Sequence, residues 1–199
     1  MPANSESEKL TLRLWRQVYQ TYNLLKQSQD QILEEYGLTA EQYGLLTVID
    51  YLGGPTRITD VAQWLERSAN SVSMIVDRMV KAGLVRRTRD RKDRRVVWVT
   101  ATSKAEAALK PSNVAILEFV QKIFQPLSHK DKSTLIDLLG TPKYEIQKYL
   151  NPGVDINELK RAELVQPSDL EKWLKKHRLP SAPQSKRQAG KTKKTVTRS

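Results

Sequence analysis

The sequence predicts a mainly α-helical chain carrying one small β-hairpin, and three observations predict it. Apolar residues recur at helical spacing from Leu14 to Tyr36, a polar-faced helix pattern runs from Ser68 to Ala82, and two short β-branched or aromatic runs flank the charged stretch Asp90 to Arg95. A helix narrow enough for the major groove, followed by a basic loop that can reach the adjoining minor groove, supplies the two parts of a winged helix-turn-helix.

The first helix is expected from Lys9 to about Tyr36, with Leu14, Val18, Tyr22, Leu25, Ile32 and Tyr36 on one stripe. Trp15 and Tyr19 widen that stripe beyond what one domain needs, which leaves an edge for a partner helix. Gly37 can stop this helix, and Thr39 with Gln42 forms a capping-box pattern for a second one ending near Leu52, before Gly53, Gly54 and Pro55. Thr59 is placed to cap a short helix through Leu65, and Ser68 to cap the next, which Gly83 terminates. In that helix Val72, Ile75, Val76, Met79 and Val80 should point inward. Strands are expected over Leu84 to Arg89 and Val96 to Thr100. A further helix begins at Thr102 or Ser103 and should kink or break at Pro111. Ser128 with Asp131 starts another, whose end Gly140, Thr141 and Pro142 punctuate. Beyond it, 143 to 179 reads as two or three short helices, one capped by Ser168 with Glu171. From Pro180 to Ser199 there are six Lys or Arg, no acid and almost nothing apolar, so that tail is expected to be disordered.

Charge sharpens the reading. The 199 residues carry a formal net charge of +12, and residues 57 to 95 hold 11 basic against 5 acidic side chains while the rest of 1 to 142 holds 9 against 11. The other basic block, 143 to 199, holds 14 against 6. A concentrated basic surface attracts polyphosphate, whereas a scattered one mainly aids solubility. The chain has no cysteine, which excludes disulfides, thiolate metal sites and thiol redox sensing by its own sulfur. No stretch approaches the ~20 apolar residues of a membrane span and no secretory pattern opens the chain, so a cytoplasmic location is expected. His129 and His177 stand in lysine-containing stretches without a nucleophile or acid at triad spacing. Together with the lack of a Gly-rich phosphate loop or a metal-ligand cluster, this argues against an enzyme and against a metal or other cofactor.

On the helix from Ser68 to Ala82, Asn70, Ser71, Ser73, Met74 and Arg78 fall on the exposed side, where Asn can pair with adenine, Ser with either base type, and Met with a thymine methyl. A polar face of this kind also occurs on any solvated amphipathic helix. The hairpin is harder to explain blandly, because Arg86, Arg87, Arg89, Arg91, Lys92, Arg94 and Arg95 repel one another unless anions or the nearby Asp90 and Asp93 screen them. Arginine also suits a narrow minor groove of enhanced negative potential.

From about Leu10 to Leu139 the sequence resembles the MarR transcriptional regulators, most densely at Ser71-Val72-Ser73, Asp77-Arg78-Met79, Gly83-Leu84-Val85 and Asp93-Arg94-Arg95-Val96-Val97-Trp98-Val99. The resemblance implies that Arg95 enters the minor groove, that Asp93 holds the wing loop in shape, and that Asn70, Ser71, Ser73 and Met74 face major-groove bases; Arg91, Lys92 and Arg94 complete the DNA-binding wing. It implies a homodimer on double-stranded DNA, which many members release on binding a small aromatic or lipophilic effector in a cleft between the dimer helices and the reading domain; Trp15, Tyr19, Tyr22 and Tyr43 are the candidates for such a cleft here, although aromatic residues at helical spacing usually just pack. Met74 stands where a basic or polar residue is frequent, and 143 onward has no counterpart in the common pattern. The expected organisation is a flexible start (1–9), a dimerisation helix (10–36), a winged helix-turn-helix (37–101), C-terminal dimerisation helices (102–142), an added helical extension (143–179) and a basic tail (180–199). The expected function is a homodimeric sequence-specific regulator, a repressor of a pseudo-palindromic operator, and the alternative is a sequence-neutral architectural nucleic-acid binder.

Overall fold

Local signals place most of the helix ends. The computed structural model describes residues 4–165, in which α1 spans Asn4–Glu34, α2 Ala40–Leu52, β1 Thr56–Arg57, α3 Ile58–Trp64, α4 Ala69–Lys81, β2 Val85–Arg89, β3 Val97–Ala101, α5 Ser103–Phe124, α6 His129–Leu150 and α7 Ile156–Val165. Thr39 Oγ1 accepts from the Gln42 amide at 3.2 Å while the Thr39 amide donates to Gln42 Oε1 at 3.0 Å, so both halves of the capping box at α2 form. Ser128 with Asp131 forms the same two-way box at α6, while Ser68 and Thr102 cap α4 and α5 by accepting from the Ser71 and Ala105 amides alone. After α4 the left-handed Gly83, at φ 71°, lets the Leu84 amide return to the Met79 carbonyl at 2.9 Å and turns the chain directly into the hairpin.

The core lies where α2, α3, α4 and the sheet meet the first half of α5. Leu45, Leu46, Val61, Val72, Val76, Met79 and Val99 are fully enclosed, and Leu33 from the last turn of α1 joins them. The sheet has the order β1-β3-β2, all antiparallel, with Thr56 opposite Val99 and Arg87 opposite Val99 on its other side. β1 was not foreseen, since two residues are too short to display a period of two.

Several expectations are corrected. α1 starts at Asn4 rather than Lys9, because the stretch before Leu10 contains no breaker and Glu6 and Lys9 pair at 3.6 Å one turn apart. α3 is preceded by Arg57 at the cap position, not Thr59: pairing of β1 fixes the bend at Arg57, and Thr59 Oγ1 turns to Asp60 Oδ1 instead. α5 runs unbroken through Pro111, held by burial of Ala105, Leu109, Ser112 and Ile116 against the domain. α6 does not stop at Gly140, Thr141 and Pro142 but continues to Leu150, so the boundary expected between 142 and 143 falls inside one helix. Pro142 removes one backbone hydrogen bond, a local loss that the flanking turns tolerate. The Ser168 cap, His177 and the 180–199 tail lie outside the described residues.

Val80 is also corrected, being 40% exposed where Val76 is fully buried. The pair gives a matched test. Val76→Ala should cost about 2 kcal/mol or more from lost burial and the cavity left behind, whereas Val80→Ala should stay within roughly 0.5 kcal/mol. Urea unfolding followed by circular dichroism separates the two, and equal losses would contradict this orientation of α4.

Candidate nucleic-acid interface

The helix expected to read bases, α4, is pinned on three sides. Its start is fixed by Ser68, whose Oγ accepts from the Ser71 amide at 3.2 Å. Arg78 donates to Glu41 Oε2 at 3.2 Å and Arg67, in the turn before the helix, donates to Glu41 Oε1 at 3.0 Å, so one carboxylate on α2 holds both the turn and the body of α4. The Arg67 hydrogen bond, ahead of attraction from Arg67, Arg78 and Lys26 and against a desolvation penalty, keeps the Glu41 carboxyl below its ordinary pKa and therefore ionised. Asp77 accepts from Arg87 on β2, which fastens the wing strand beside the helix.

Of the face expected to read bases, Asn70 and Arg78 are exposed and Met74 stands out at 68% exposure, while Ser71 and Ser73 are half-buried. Arg78 is thus not a free cation on that face; Glu41 holds it in place.

The wing depends on two aspartates that face inward. Asp90 Oδ1 accepts from the amides of Lys92 at 2.8 Å and Asp93 at 3.1 Å, Asp90 Oδ2 accepts from the Trp98 indole at 3.2 Å, and Asp93 Oδ1 accepts from the Arg95 amide at 2.9 Å. Asp93 does shape the loop, but Asp90 makes more of its contacts. Its role was missed because a carboxylate among cations reads first as a screen; an Asx-turn preference two residues before Lys92 was the available signal. With both carboxylates engaged by loop amides and the Trp98 indole, Arg91, Lys92, Arg94 and Arg95 remain exposed at the tip.

These bonds give the wing a pH dependence of definite sign. The Asp93 amide, then the Lys92 amide and the Trp98 indole, depress the Asp90 pKa. A depressed carboxylate contributes stability that is fully present above its unfolded value and is lost as pH falls through the folded one. The wing should therefore loosen only in acid, below the ordinary aspartate range, and the Trp98 indole proton resonance should report it. In Asp90→Asn that acid step should vanish; a resonance that still titrates would assign the step to another group.

The four aromatic residues considered for an effector cleft do not converge within one chain. Trp15 and Tyr19 stack at 6.1 Å between centroids on the exposed part of α1, and Tyr22 is exposed one turn on. Tyr43 packs against the core, where burial raises its phenol pKa. A cavity of about 890 Å³ does lie between α1, α2 and α4, but Lys26, Asp30, Gln31, Glu41 and Arg78 line it with their neighbours, and none of those four aromatics does. Among the described residues no group of His, Asp or Glu could hold a metal ion, and no helix is long and apolar enough to cross a membrane.

Comparison with known proteins bears on the same region. Residues 36–96, from the end of α1 to the close of the wing loop, match the sequence model of the MarR family. The chain is 27% identical over 119 residues to the uncharacterised HTH-type transcriptional regulator YpoP of Bacillus subtilis (strain 168), covering 59% of this chain and 84% of that protein. Its fold matches the organohalide-sensing regulator RdhR-CbdbA1625 in the 2,4-dichlorophenol-bound form with a TM-score of 0.67 at 21% identity, covering 75% of this chain and 88% of that one. It also matches reduced AbfR bound to DNA, with a TM-score of 0.62 at 23% identity over 72% of this chain and 99% of that one.

Proposed function

Because the chain belongs to the MarR family of DNA-binding winged helix-turn-helix transcriptional regulators, we propose that it acts as a homodimeric repressor that reads a pseudo-palindromic operator. The observation that carries the reading is the wing: a loop whose aspartates are spent on its own backbone and whose four terminal cations point outward, tied by Arg87 and Asp77 to a helix presenting Asn70 and Met74. In this reading α4 enters the major groove with Asn70, Ser71, Ser73 and Met74 toward the bases, Arg78 flanks them, and Arg95 reaches the minor groove.

Dimerisation is supported by apolar surface that a single chain leaves uncovered. Leu10, Leu14, Trp15 and Val18 of α1 are exposed, and α6 has no buried residue although it carries Leu135, Ile136, Leu138 and Leu139. A cavity of about 860 Å³ opens between α5 and α6, lined by Val120, Phe124, Leu127, Leu135, Ile136 and Leu139 among others. Faces of this kind mark association surfaces. A twofold dimer would set the two α4 helices on successive major grooves, with half-site centres about 10 base pairs apart.

The test is to sequence the genomic fragments that the purified protein retains at physiological salt, where weak non-specific complexes mostly dissociate. A shared inverted repeat with half-sites one helical turn apart is the expected result. Fragments without a common sequence would instead favour an architectural binder. Release by a small aromatic effector belongs to the same proposal: a partner helix across Trp15, Tyr19 and Tyr22 would close the wall that one chain leaves open. A chlorophenol should then quench Trp15 fluorescence and weaken operator binding, and no response in either would remove the effector.

A further inference from the structure

The turn between α3 and α4 contains Glu66, which at φ 52° is the only non-glycine residue among those described with a left-handed backbone. A side chain with a Cβ is disfavoured there. Glycine would remove that cost, so what Glu66 contributes must be sought in its side chain. Its Oε1 accepts from Gln147 Nε2 at 3.1 Å, across 81 positions of sequence, and stands 4.0 Å from Lys143 Nζ. Both partners lie in the last two turns of α6, on the part that continues past Gly140 and Pro142. Lys160 of α7 sits over the Tyr144 ring at 4.9 Å, which ties α7 back to this end of α6. Between the extension and the domain remains a cavity of about 870 Å³ bordered by Trp64, Gln63, Lys143, Gln147 and Leu159. The extension thus meets the domain through a few polar contacts and not through a packed core.

We propose that Gln147 and Lys143 are positioning residues for DNA reading, holding the turn at Glu66 so that α4 is presented at a set angle. The inference rests on the proposed function for its consequence, though not for the contact itself. The geometry is two-sided. The next residue, Arg67, is held by Glu41 of α2, and the same carboxylate holds Arg78 within α4. Because α6 is one continuous helix, the segment that carries Leu135 and Ile136 also carries Gln147, so an arrangement of α6 in a dimer is transmitted directly to the turn before the recognition helix. Glu66 lies within residues 36–96 but its partners Lys143 and Gln147 lie beyond them, so the link would give this chain a control on its reader that the family segment alone does not contain.

The experiment uses the full chain and an isosteric reversal. Gln147→Glu sets a carboxylate against Glu66 without changing volume, and the double variant E66Q/Q147E restores a donor and an acceptor in the opposite sense. Hydrogen exchange of the free protein should show the Glu66, Arg67 and Ser71 amides exchanging roughly three- to tenfold faster in Q147E, the scale of one lost side-chain hydrogen bond, and returning toward wild type in E66Q/Q147E. Unchanged exchange at these amides in Q147E would overturn the contact. Binding is then compared between the duplex that the wild-type chain selects from genomic DNA and a scrambled duplex of equal length. Q147E should lose affinity for the selected duplex by a similar factor and much less for the scrambled one, with rescue in E66Q/Q147E. An equal loss on both would overturn the positioning role. If the wild-type chain selects no sequence, the DNA-reading proposal fails while the exchange data still decide whether the turn is held.

Discussion

Ile136→Glu combined with Leu139→Glu on α6 is expected to convert the proposed dimer into a folded monomer with almost no operator affinity at working concentrations. The two side chains are 71% and 46% exposed in the single chain, so a carboxylate at either position meets water and the monomer should keep its stability. In a twofold interface each substitution occurs twice and each new carboxylate becomes buried without a partner. At about 3 kcal/mol for each such uncompensated charge, one substitution alone removes about 6 kcal/mol, roughly four orders of magnitude in the dimer constant. Sedimentation velocity reads the association state directly, and circular dichroism confirms the fold. A variant that sediments as wild type would show that this face of α6 is not the interface, leaving α1 as the place to look.

By the same logic, residues that touch no DNA would govern the affinity of a dimeric regulator. A monomer presents one reading helix, and the second half-site is then lost as an intramolecular event. In the proposed dimer the exposed apolar stretch of α1 and the uncovered α6 would be the faces that pair, on either side of the reader in the sequence.

How much of this was legible depended on range. Thr39 with Gln42, Ser68, Ser128 with Asp131, and the glycines at 37, 53 and 83 act within four residues, and the ends they mark were read correctly. The hairpin and its basic tip were legible because β-branched strands and a polar loop are local patterns too. What escaped depends on distant partners. β1 exists because β3 offers it an edge, and α5 survives Pro111 because the core holds its other side. Glu41 gave no sign of joining Arg67 and Arg78, which lie 26 and 37 positions away. Gly140 and Pro142 looked like punctuation, yet their effect on a helix is a bias of limited size that the continuation to Leu150 outweighs. Among the aromatic candidates, spacing placed Trp15, Tyr19 and Tyr22 on one face of α1 but could not show that Tyr43 turns into the core.

Arg95→Ala is expected to weaken operator binding by roughly 1 to 3 kcal/mol, a factor of about 5 to 150, while leaving the fold intact. The side chain is exposed and its backbone amide, not its guanidinium, is what Asp93 holds, so removing the guanidinium leaves the loop's internal bonds in place. Two controls separate what that guanidinium does. Arg95→Lys keeps the charge but not the planar fork; near-wild-type affinity in Arg95→Lys would mean that charge alone suffices, whereas a loss close to that of Arg95→Ala would mean that fork geometry matters. The slope of log affinity against log salt adds the second control. A residue that only neutralises a phosphate should lower that slope by about 1 when removed, and the loss should be similar on selected and scrambled DNA. A residue that reads a narrow minor groove should cost more on the selected duplex than on the scrambled one. Fluorescence anisotropy with both duplexes at several salt concentrations measures all of these together. Affinity unchanged in Arg95→Ala would take this arginine out of the mechanism and leave Arg91, Lys92 and Arg94 to carry the wing's contact.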